Sequence, residues 1–112
     1  MIVSKIFYFE GAHYLPGHDH CGRIHGHSYK LEVMCGGGVN PQTGMVIDFG
    51  DISKVVKEKV ISKLDHSFLN DIIEIPTVEN ILLWVGNEIS SSLPVSRLRL
   101  WETRNSYAEL EV

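Results

Sequence analysis

The chain has 112 residues, 44% of them hydrophobic, and a net charge of −4, a composition that is ordinary for one soluble domain spanning residues 1–112. A mildly acidic chain without a basic run excludes the charge pattern of proteins that bind nucleic acid or anionic membranes. No apolar stretch reaches the roughly 20 residues that cross a bilayer, and no signal peptide is visible. The two cysteines are too few for a disulfide framework, so we expect a cytoplasmic protein with free thiols.

The first third of the chain predicts two strands joined by a histidine-rich loop. Residues Ile2 to Ala12 are rich in β-branched and aromatic side chains, which favours a strand. A second strand is predicted from His25 to Gly36 because apolar and polar residues alternate there. The face predicted to be buried carries Tyr29, Leu31, Val33 and Cys35.

The middle of the chain predicts two helices. A turn over residues 40–44 precedes a short apolar run over 45–49, which is a candidate for an additional strand. Asp51 is the predicted N-cap of a first helix that extends to about Lys63. Thr77 is the predicted N-cap of a second helix that extends to about Leu93, before Pro94.

The last part of the chain predicts two more strands, over residues 95–103 and 107–112. In the first of these, Leu98, Leu100 and Glu102 share one face. The complete order places strands first and last with two helices between them. This order is typical of an α+β domain that has an antiparallel sheet and both helices on one face.

Three histidines predict a metal site. His25 and His27 flank Gly26 at the start of a strand, where residues i and i+2 point to the same side. An antiparallel hairpin closed by residues 14–24 would set His13 beside them. Three imidazoles with one open position are the ligand set of a catalytic zinc ion rather than a structural one. A surface pattern that binds no metal stays the alternative.

The loop between these strands holds three further candidates. His18 and His20 form a second His-x-His pair, but they lie beside Pro16 and Gly17, so their spacing does not fix a common side. Cys21 lies four residues before His25 in the sequence. Its thiol is a candidate fourth ligand, a candidate base or a loop cysteine without a role, since nearby positive charge favours a thiolate.

Charged residues elsewhere suggest further roles. Asp65 precedes His66, an arrangement in which a carboxylate can orient an imidazole for proton transfer, although such pairs also occur by chance. Glu102 shares the face of two leucines, where a carboxylate is costly unless it has a partner. It is predicted to bind the adjacent N–H donors of a guanine-like or pterin ring, or to pair with a buried arginine. Candidates for an anionic substrate tail are Arg23, Lys54 and Arg104.

Taken in chain order, these motifs resemble the 6-pyruvoyl-tetrahydropterin synthase family, and most closely its 6-carboxy-tetrahydropterin synthase branch. The matching strings cover nearly the whole chain: Phe9–His13, Cys21–His27, Val39–Phe49, Leu64–His66, Leu69-Asn70, Pro76–Asn80 and Glu102-Thr103. The three residues between Cys21 and His25 favour the carboxy branch, because the pyruvoyl branch usually has a longer spacer. Variants that form a hydroxymethyl-pterin usually carry a Glu near this cysteine, and this loop has none.

The resemblance implies a tunnelling fold, in which a four-stranded antiparallel sheet carries two helices on one face. Subunits of that family join edge to edge into an oligomeric barrel, typically a trimer, and two rings stack into a homohexamer. The resemblance also implies active sites at the subunit interfaces. No nucleic acid or membrane partner is expected.

Site roles carry over from the family by position. The Zn²⁺ ligands match His13, His25 and His27. The catalytic cysteine and the proton-relay pair match Cys21, Asp65 and His66. The acid that anchors the pterin ring matches Glu102.

The implied activity is that of a zinc-dependent lyase. It converts 7,8-dihydroneopterin triphosphate to 6-carboxy-5,6,7,8-tetrahydropterin with release of acetaldehyde and triphosphate, as in the biosynthesis of 7-deazaguanines such as queuosine and archaeosine. Two alternatives stay open. One is a 6-pyruvoyl-tetrahydropterin synthase, and the other is a non-catalytic domain that binds zinc or a pterin.

Overall fold

The computed structural model describes residues 1–17 and 22–112 of the chain. One sheet contains five strands: β1 (Ile2–His13), β2 (His25–Gly36), β3 (Ser67–Phe68), β4 (Val95–Thr103) and β5 (Ser106–Glu111). Their order is β3-β1-β2-β4-β5, and every pairing is antiparallel except that of β3 with β1. The α+β class is confirmed, and so are the predicted bounds of β2 and β4.

The prediction of a four-stranded sheet was wrong because it omitted β3. This strand pairs in parallel with Gly11 and Ala12 of β1. It has only two residues, too few for an alternating pattern to reveal a strand in the sequence. Just before it, the His66 N–H donates to the Glu10 carbonyl at 2.6 Å, which draws the segment to the edge of the sheet.

Among the described residues, the α-helices form two helical regions, and a short 3-10 helix (Leu69–Asp71) lies between them. The first begins with α1 (Phe49–Val56) and continues through a π-helical turn (Lys57–Ile61) into α2 (Ser62–Leu64). The second is α3 (Val78–Ile89), whose predicted N-cap Thr77 is confirmed because its hydroxyl accepts the Asn80 N–H at 3.1 Å. The prediction placed the end of this helix too late.

The predicted N-cap of the first helix, Asp51, was wrong. The cap is Asp48, whose carboxylate accepts the Gly50 N–H at 2.7 Å. The apolar run over 45–49 is not a strand either, because the Asn40 N–H donates to the Met45 carbonyl at 2.9 Å and closes the loop on itself. Asp51 lies instead in the first helical turn, where the helix dipole favours an acid.

The core lies between the sheet and the two helical regions. The predicted inner face of β2 is confirmed, since Tyr29, Leu31, Val33 and Cys35 are all fully buried. They belong to one cluster with buried residues of β4, α1 and α3, including Leu98, Ile52 and Val85. This packing leaves the histidine end of β1 and β2 at one extremity of the sheet. Within residues 1–17 and 22–112, no helix is long and apolar enough to cross a membrane.

Candidate metal centre

The β1–β2 hairpin brings three histidines together. His13 lies directly opposite His25, and Gly11 lies opposite His27. Each histidine offers one ring nitrogen, and these three atoms lie within 4.8 Å of one another. The rings of His13 and His25 meet edge to face, with centroids 4.7 Å apart. The predicted same-side placement of His25 and His27 is therefore present, and the hairpin adds His13 as expected.

Hydrogen bonds fix the orientation of two of the rings. The Nδ1 atom of His13 lies 2.8 Å from the Pro76 carbonyl, and that of His25 lies 2.7 Å from the Arg23 carbonyl. A carbonyl only accepts, so each Nδ1 carries the hydrogen and donates it. In a neutral ring this leaves the Nε2 lone pair free, which is the arrangement usual for a histidine that binds a metal.

Burial identifies the Nε2 atoms of His13 and His27 as candidate ligand atoms. Within the described part of the chain, the Nε2 atoms of His13 and His27 are buried and have no hydrogen-bond partner. Leaving such an atom unsatisfied is unfavourable by about 1–3 kcal/mol, and a metal ion would satisfy it. The pKa of His27 is lowered, chiefly by burial and further by His13 and His25, against an opposing effect of Glu102. A neutral imidazole is the form that binds a metal, so this donor set fits Zn²⁺.

Glu102 lies beside the cluster. Its side chain is 26% exposed, and its carboxylate oxygens lie 3.9 Å from His13 Nε2 and 3.8 Å from His27 Nε2. Burial lowers the pKa of His27 and so favours its neutral ring, which weakens the ion-pair character of its contact with Glu102. Among the residues that the structure describes, no arginine pairs with Glu102, so the predicted arginine alternative has no support. The sequence analysis placed Glu102 on the inner face but missed its closeness to the histidines.

The Asp65–His66 pair is held by the backbone of Glu10. Asp65 Oδ1 accepts the Glu10 N–H at 2.9 Å, and the His66 N–H donates to the Glu10 carbonyl. His66 has a φ of 56°, a left-handed conformation that is rare outside glycine. Its side chain is 79% exposed, and its Nε2 lies 3.8 Å from Asp65 Oδ2, which is too long for a hydrogen bond. The two side chains are thus neighbours, with the imidazole directed to solvent.

A cleft lies beside His66 at the edge of the hairpin. It has a volume of about 520 Å³ and is lined by His27 and His66, together with Glu10 and Ser28. The Ser28 hydroxyl donates to the Glu10 carboxylate at 2.7 Å. Glu10 and Ser28 lie on the face of the hairpin opposite to Tyr29 and the histidine rings, because successive residues of a strand point to opposite sides. The cleft therefore opens on the outer face of the hairpin, whereas the ring of His27 is directed to the cluster on the inner face.

Other sequence candidates lie elsewhere. Arg23, Lys54 and Arg104 are exposed, and none of them lines this cleft. His18, His20 and Cys21 lie outside the described residues, so their predicted roles stay predictions. The sequence analysis did not identify Tyr29 as a neighbour of the site. Its hydroxyl lies 3.4 Å from His13 Nδ1, and burial raises its pKa, so it stays protonated at neutral pH.

Comparisons with known proteins extend over the whole chain. A model of the family described as 6-pyruvoyl tetrahydropterin synthase matches residues 2–112. A protein of Archaeoglobus fulgidus with the provisional name 6-carboxy-5,6,7,8-tetrahydropterin synthase is 44% identical over 111 residues, covering 98% of this chain and 95% of that protein. A Pyrococcus furiosus protein named dihydroneopterin monophosphate aldolase is 39% identical over 115 residues, covering 96% and 97%.

A solved structure shows the same fold. The 6-pyruvoyl tetrahydropterin synthase of Caenorhabditis elegans aligns with a TM-score of 0.90 at 22% identity, covering 100% of this chain and 95% of that one. At this identity the likeness concerns the fold alone. The family model and the relatives carry the assignment further, because they match nearly every residue that builds the hairpin, the helices and the last strands. This chain is accordingly an enzyme of the 6-pyruvoyl tetrahydropterin synthase family.

Proposed function

We propose that this protein is a zinc-dependent lyase that converts 7,8-dihydroneopterin triphosphate to 6-carboxy-5,6,7,8-tetrahydropterin, releasing acetaldehyde and triphosphate. The observation that carries the proposal is the cluster of His13, His25 and His27, with two Nδ1 atoms already donating to carbonyls. The name of the Archaeoglobus fulgidus relative supports this choice of product. The short spacer between Cys21 and His25 supports it as well. The product would serve 7-deazaguanine biosynthesis.

Different residues of the site would supply Lewis acidity and proton transfer. A zinc ion held by the three histidines would supply Lewis acidity at the oxygen atoms of the substrate side chain. Cys21 and His66 would move protons on and off the side-chain carbons, and Asp65 would stabilise the protonated imidazole. Elimination would release triphosphate. Water would then add to the first side-chain carbon, and cleavage of the bond to the second carbon would release the outer two carbons as acetaldehyde, with a proton delivered to the departing carbon, and leave the carboxylate on the ring.

Product analysis tests this proposal. The purified protein is incubated with 7,8-dihydroneopterin triphosphate, and the products are identified by mass while acetaldehyde is measured with a coupled dehydrogenase. We expect acetaldehyde and carboxy-tetrahydropterin in equal amounts. A pyruvoyl-tetrahydropterin without aldehyde would assign the protein to the other branch. If the zinc-loaded protein turns over no pterin, the result would favour a non-catalytic domain that binds zinc or a pterin.

A second candidate is the cleavage of phosphorylated dihydroneopterin, favoured by the name of the Pyrococcus furiosus relative. An aldolase would break the same carbon–carbon bond without losing phosphate, so the outer fragment would be a phosphorylated two-carbon aldehyde and the ring would keep a hydroxymethyl group. Among the described residues, the lining of the cleft beside His66 includes no arginine or lysine, so that lining does not select between phosphate chain lengths. Supplying monophosphate and triphosphate substrates in parallel separates the two activities by the aldehyde formed.

Glu102 is proposed to anchor the pterin ring, and its replacement tests that role. Glu102→Gln keeps the shape of the side chain but turns one acceptor into a donor that faces a ring N–H. A charge-assisted hydrogen bond contributes about 1.5–3 kcal/mol, so pterin affinity should fall about ten- to a hundred-fold. Pterin fluorescence measures the affinity. Zinc content is measured alongside, because the carboxylate lies within 4 Å of two of the histidines.

The control for this variant is Glu58→Gln, which makes the same change at an exposed position of the first helical region. Its pterin affinity should equal that of the unmodified protein. If Glu102→Gln binds the pterin normally but loses much of its stability, the carboxylate has a structural role and the ring is anchored elsewhere.

The two cysteines are expected to differ in reactivity. Cys35 is fully buried, and burial raises the pKa of its thiol, so it should resist alkylation in the folded protein. Iodoacetamide should therefore modify Cys21 alone, and turnover should be lost while zinc is retained. Peptide mass mapping and zinc analysis of the same sample measure both results. Release of zinc in proportion to alkylation would show instead that Cys21 is a fourth ligand.

The edges of the sheet predict assembly into an oligomer. At one edge β3 covers only Gly11 and Ala12 of β1, and β5 forms the opposite edge. Exposed strand edges tend to pair with other chains, and edge-to-edge pairing of copies would cover both. The edges thus predict an oligomer, and the family resemblance implies a hexamer built from two trimers. Light scattering coupled to size-exclusion chromatography measures the mass, and a monomer at micromolar concentration would contradict the expectation.

A further inference from the structure

The candidate metal centre is connected to the start of α3 by hydrogen bonds. His13 is fully buried, and its Nδ1 donates to the carbonyl of Pro76. Proline has a fixed φ and no N–H. No hydrogen bond from its own nitrogen can hold it, so, besides the packing of its buried ring, the direction of its carbonyl depends on how Ile75 and Thr77 are fixed.

Asn80 contacts both neighbours of Pro76. Its backbone N–H donates to the Thr77 hydroxyl at 3.1 Å, and its side-chain Nδ2 donates to the Ile75 carbonyl at 2.9 Å. The Thr77 N–H donates to that same Ile75 carbonyl at 2.9 Å. The peptide on each side of Pro76 is therefore attached to the first turn of α3, and the Asn80 side chain supplies one of these attachments.

The presence of asparagine at position 80 distinguishes the bond to the Ile75 carbonyl from helix capping. The capping bond to Thr77 uses the backbone N–H of residue 80, which any residue other than proline would offer. An aspartate in this first turn would also suit the helix dipole. Aspartate, however, has no hydrogen to donate to the Ile75 carbonyl. An amide side chain is thus needed at position 80 for the bond to the loop before the helix, and not for capping the helix itself.

We propose that Asn80 is a positioning residue of the metal centre. Its amide holds the turn over 75–77 so that the Pro76 carbonyl keeps His13 in the tautomer with hydrogen on Nδ1, and Nε2 is left to face the metal. The inference rests on the proposed metal site. Outer partners of this kind typically change metal affinity by about 10- to 100-fold when they are removed.

The test compares Asn80→Asp with Asn87→Asp. Asn87 is exposed on the same helix, so both variants exchange an amide for a carboxylate and add the same charge. Zinc affinity is measured by competition with a chromophoric chelator, and the absorption spectrum of the Co²⁺-loaded protein reports the ligand geometry. We expect zinc affinity at least about tenfold weaker and an altered Co²⁺ spectrum for Asn80→Asp alone. Equal affinities and spectra in the two variants would overturn the proposal.

A measurement on the metal-free protein keeps this test independent of the proposed function. Long-range ¹H–¹⁵N spectra of the histidine rings report which nitrogen of His13 carries the hydrogen. The unmodified protein and Asn87→Asp should show Nδ1–H, whereas Asn80→Asp should show a mixture of tautomers. If the unmodified protein binds no zinc, the metal assignment fails, and this spectrum still decides the role of Asn80. Should Asn80→Asp not fold, Asn80→Ala is measured against Asn87→Ala.

Discussion

Replacing His27 by alanine is expected to remove the metal and the turnover together. The Nε2 atom of His27 is buried without a hydrogen-bond partner in the described chain, and its lowered pKa keeps the ring in the form that binds a metal. Loss of one of three direct ligands should weaken zinc binding by more than the roughly 10- to 100-fold typical of an outer partner. Zinc per chain, measured by atomic absorption, and the rate of aldehyde release should both fall to background.

The stability of the metal-free variant distinguishes a ligand from a structural residue. Gly11 lies opposite His27, so alanine at this position leaves the hairpin register undisturbed. The variant also removes an unpartnered buried nitrogen, which is unfavourable by about 1–3 kcal/mol in the apoprotein. Metal-free His27→Ala should therefore melt at the same temperature as the unmodified apoprotein or higher. A large loss of stability in the apoprotein would indicate that the ring serves the fold.

The matched control concerns the other His-x-His pair. Replacement of both His18 and His20 by alanine removes the two imidazoles that lie in the sequence between β1 and β2, and it should leave zinc content unchanged. If that variant loses its zinc while His27→Ala keeps it, the metal is bound by the loop histidines, and the cluster at the end of the hairpin is not the site.

The alternation of apolar and polar residues along the strands explains why part of the fold was predictable. β2 has its predicted bounds because apolar residues occupy every second position from Tyr29 to Cys35, so the strand period and the buried face agree. In β4 the alternation is shorter, with Leu98 and Leu100 buried and an arginine between them. β3 was missed because its pairing depends on a backbone hydrogen bond from His66 to Glu10, distant in the sequence. Asp48 was missed as the N-cap for a related reason, since Asp48 and Asp51 both suit a helix start and only the loop geometry selects between them.

The site was predictable to the extent that it depends on local spacing. Gly26 between His25 and His27 fixes two rings on one side of β2, and the hairpin places His13 opposite His25. The approach of Glu102 depends instead on the register between β2 and β4, which pairs Lys30 with the neighbouring residue Trp101. No pattern within either strand reveals that register. The bond from His13 to the Pro76 carbonyl is hidden for a similar reason, because it joins residues that are 63 positions apart in the chain.

The second large effect is expected at His66, where asparagine is the informative replacement. The φ of 56° is tolerated by asparagine better than by most other residues, so His66→Asn should keep the backbone and the hydrogen bond to Glu10. It removes the group proposed to transfer a proton, a contribution of typically about 10²- to 10⁴-fold in rate. We expect kcat to fall within that range while zinc content and melting temperature stay unchanged. Steady-state kinetics and calorimetry measure these quantities.

The comparison with His66→Ala separates chemistry from backbone strain. Alanine lacks the imidazole as well, so its kcat should fall as far as that of asparagine. It also has to adopt a left-handed conformation that is unfavourable by about 1–2 kcal/mol, so this variant alone should be destabilised. If His66→Asn keeps full turnover while His66→Ala is slow, the residue acts through the turn that presents Asp65. Since turnover would not need the imidazole, proton transfer would then be assigned to Cys21 or to another residue.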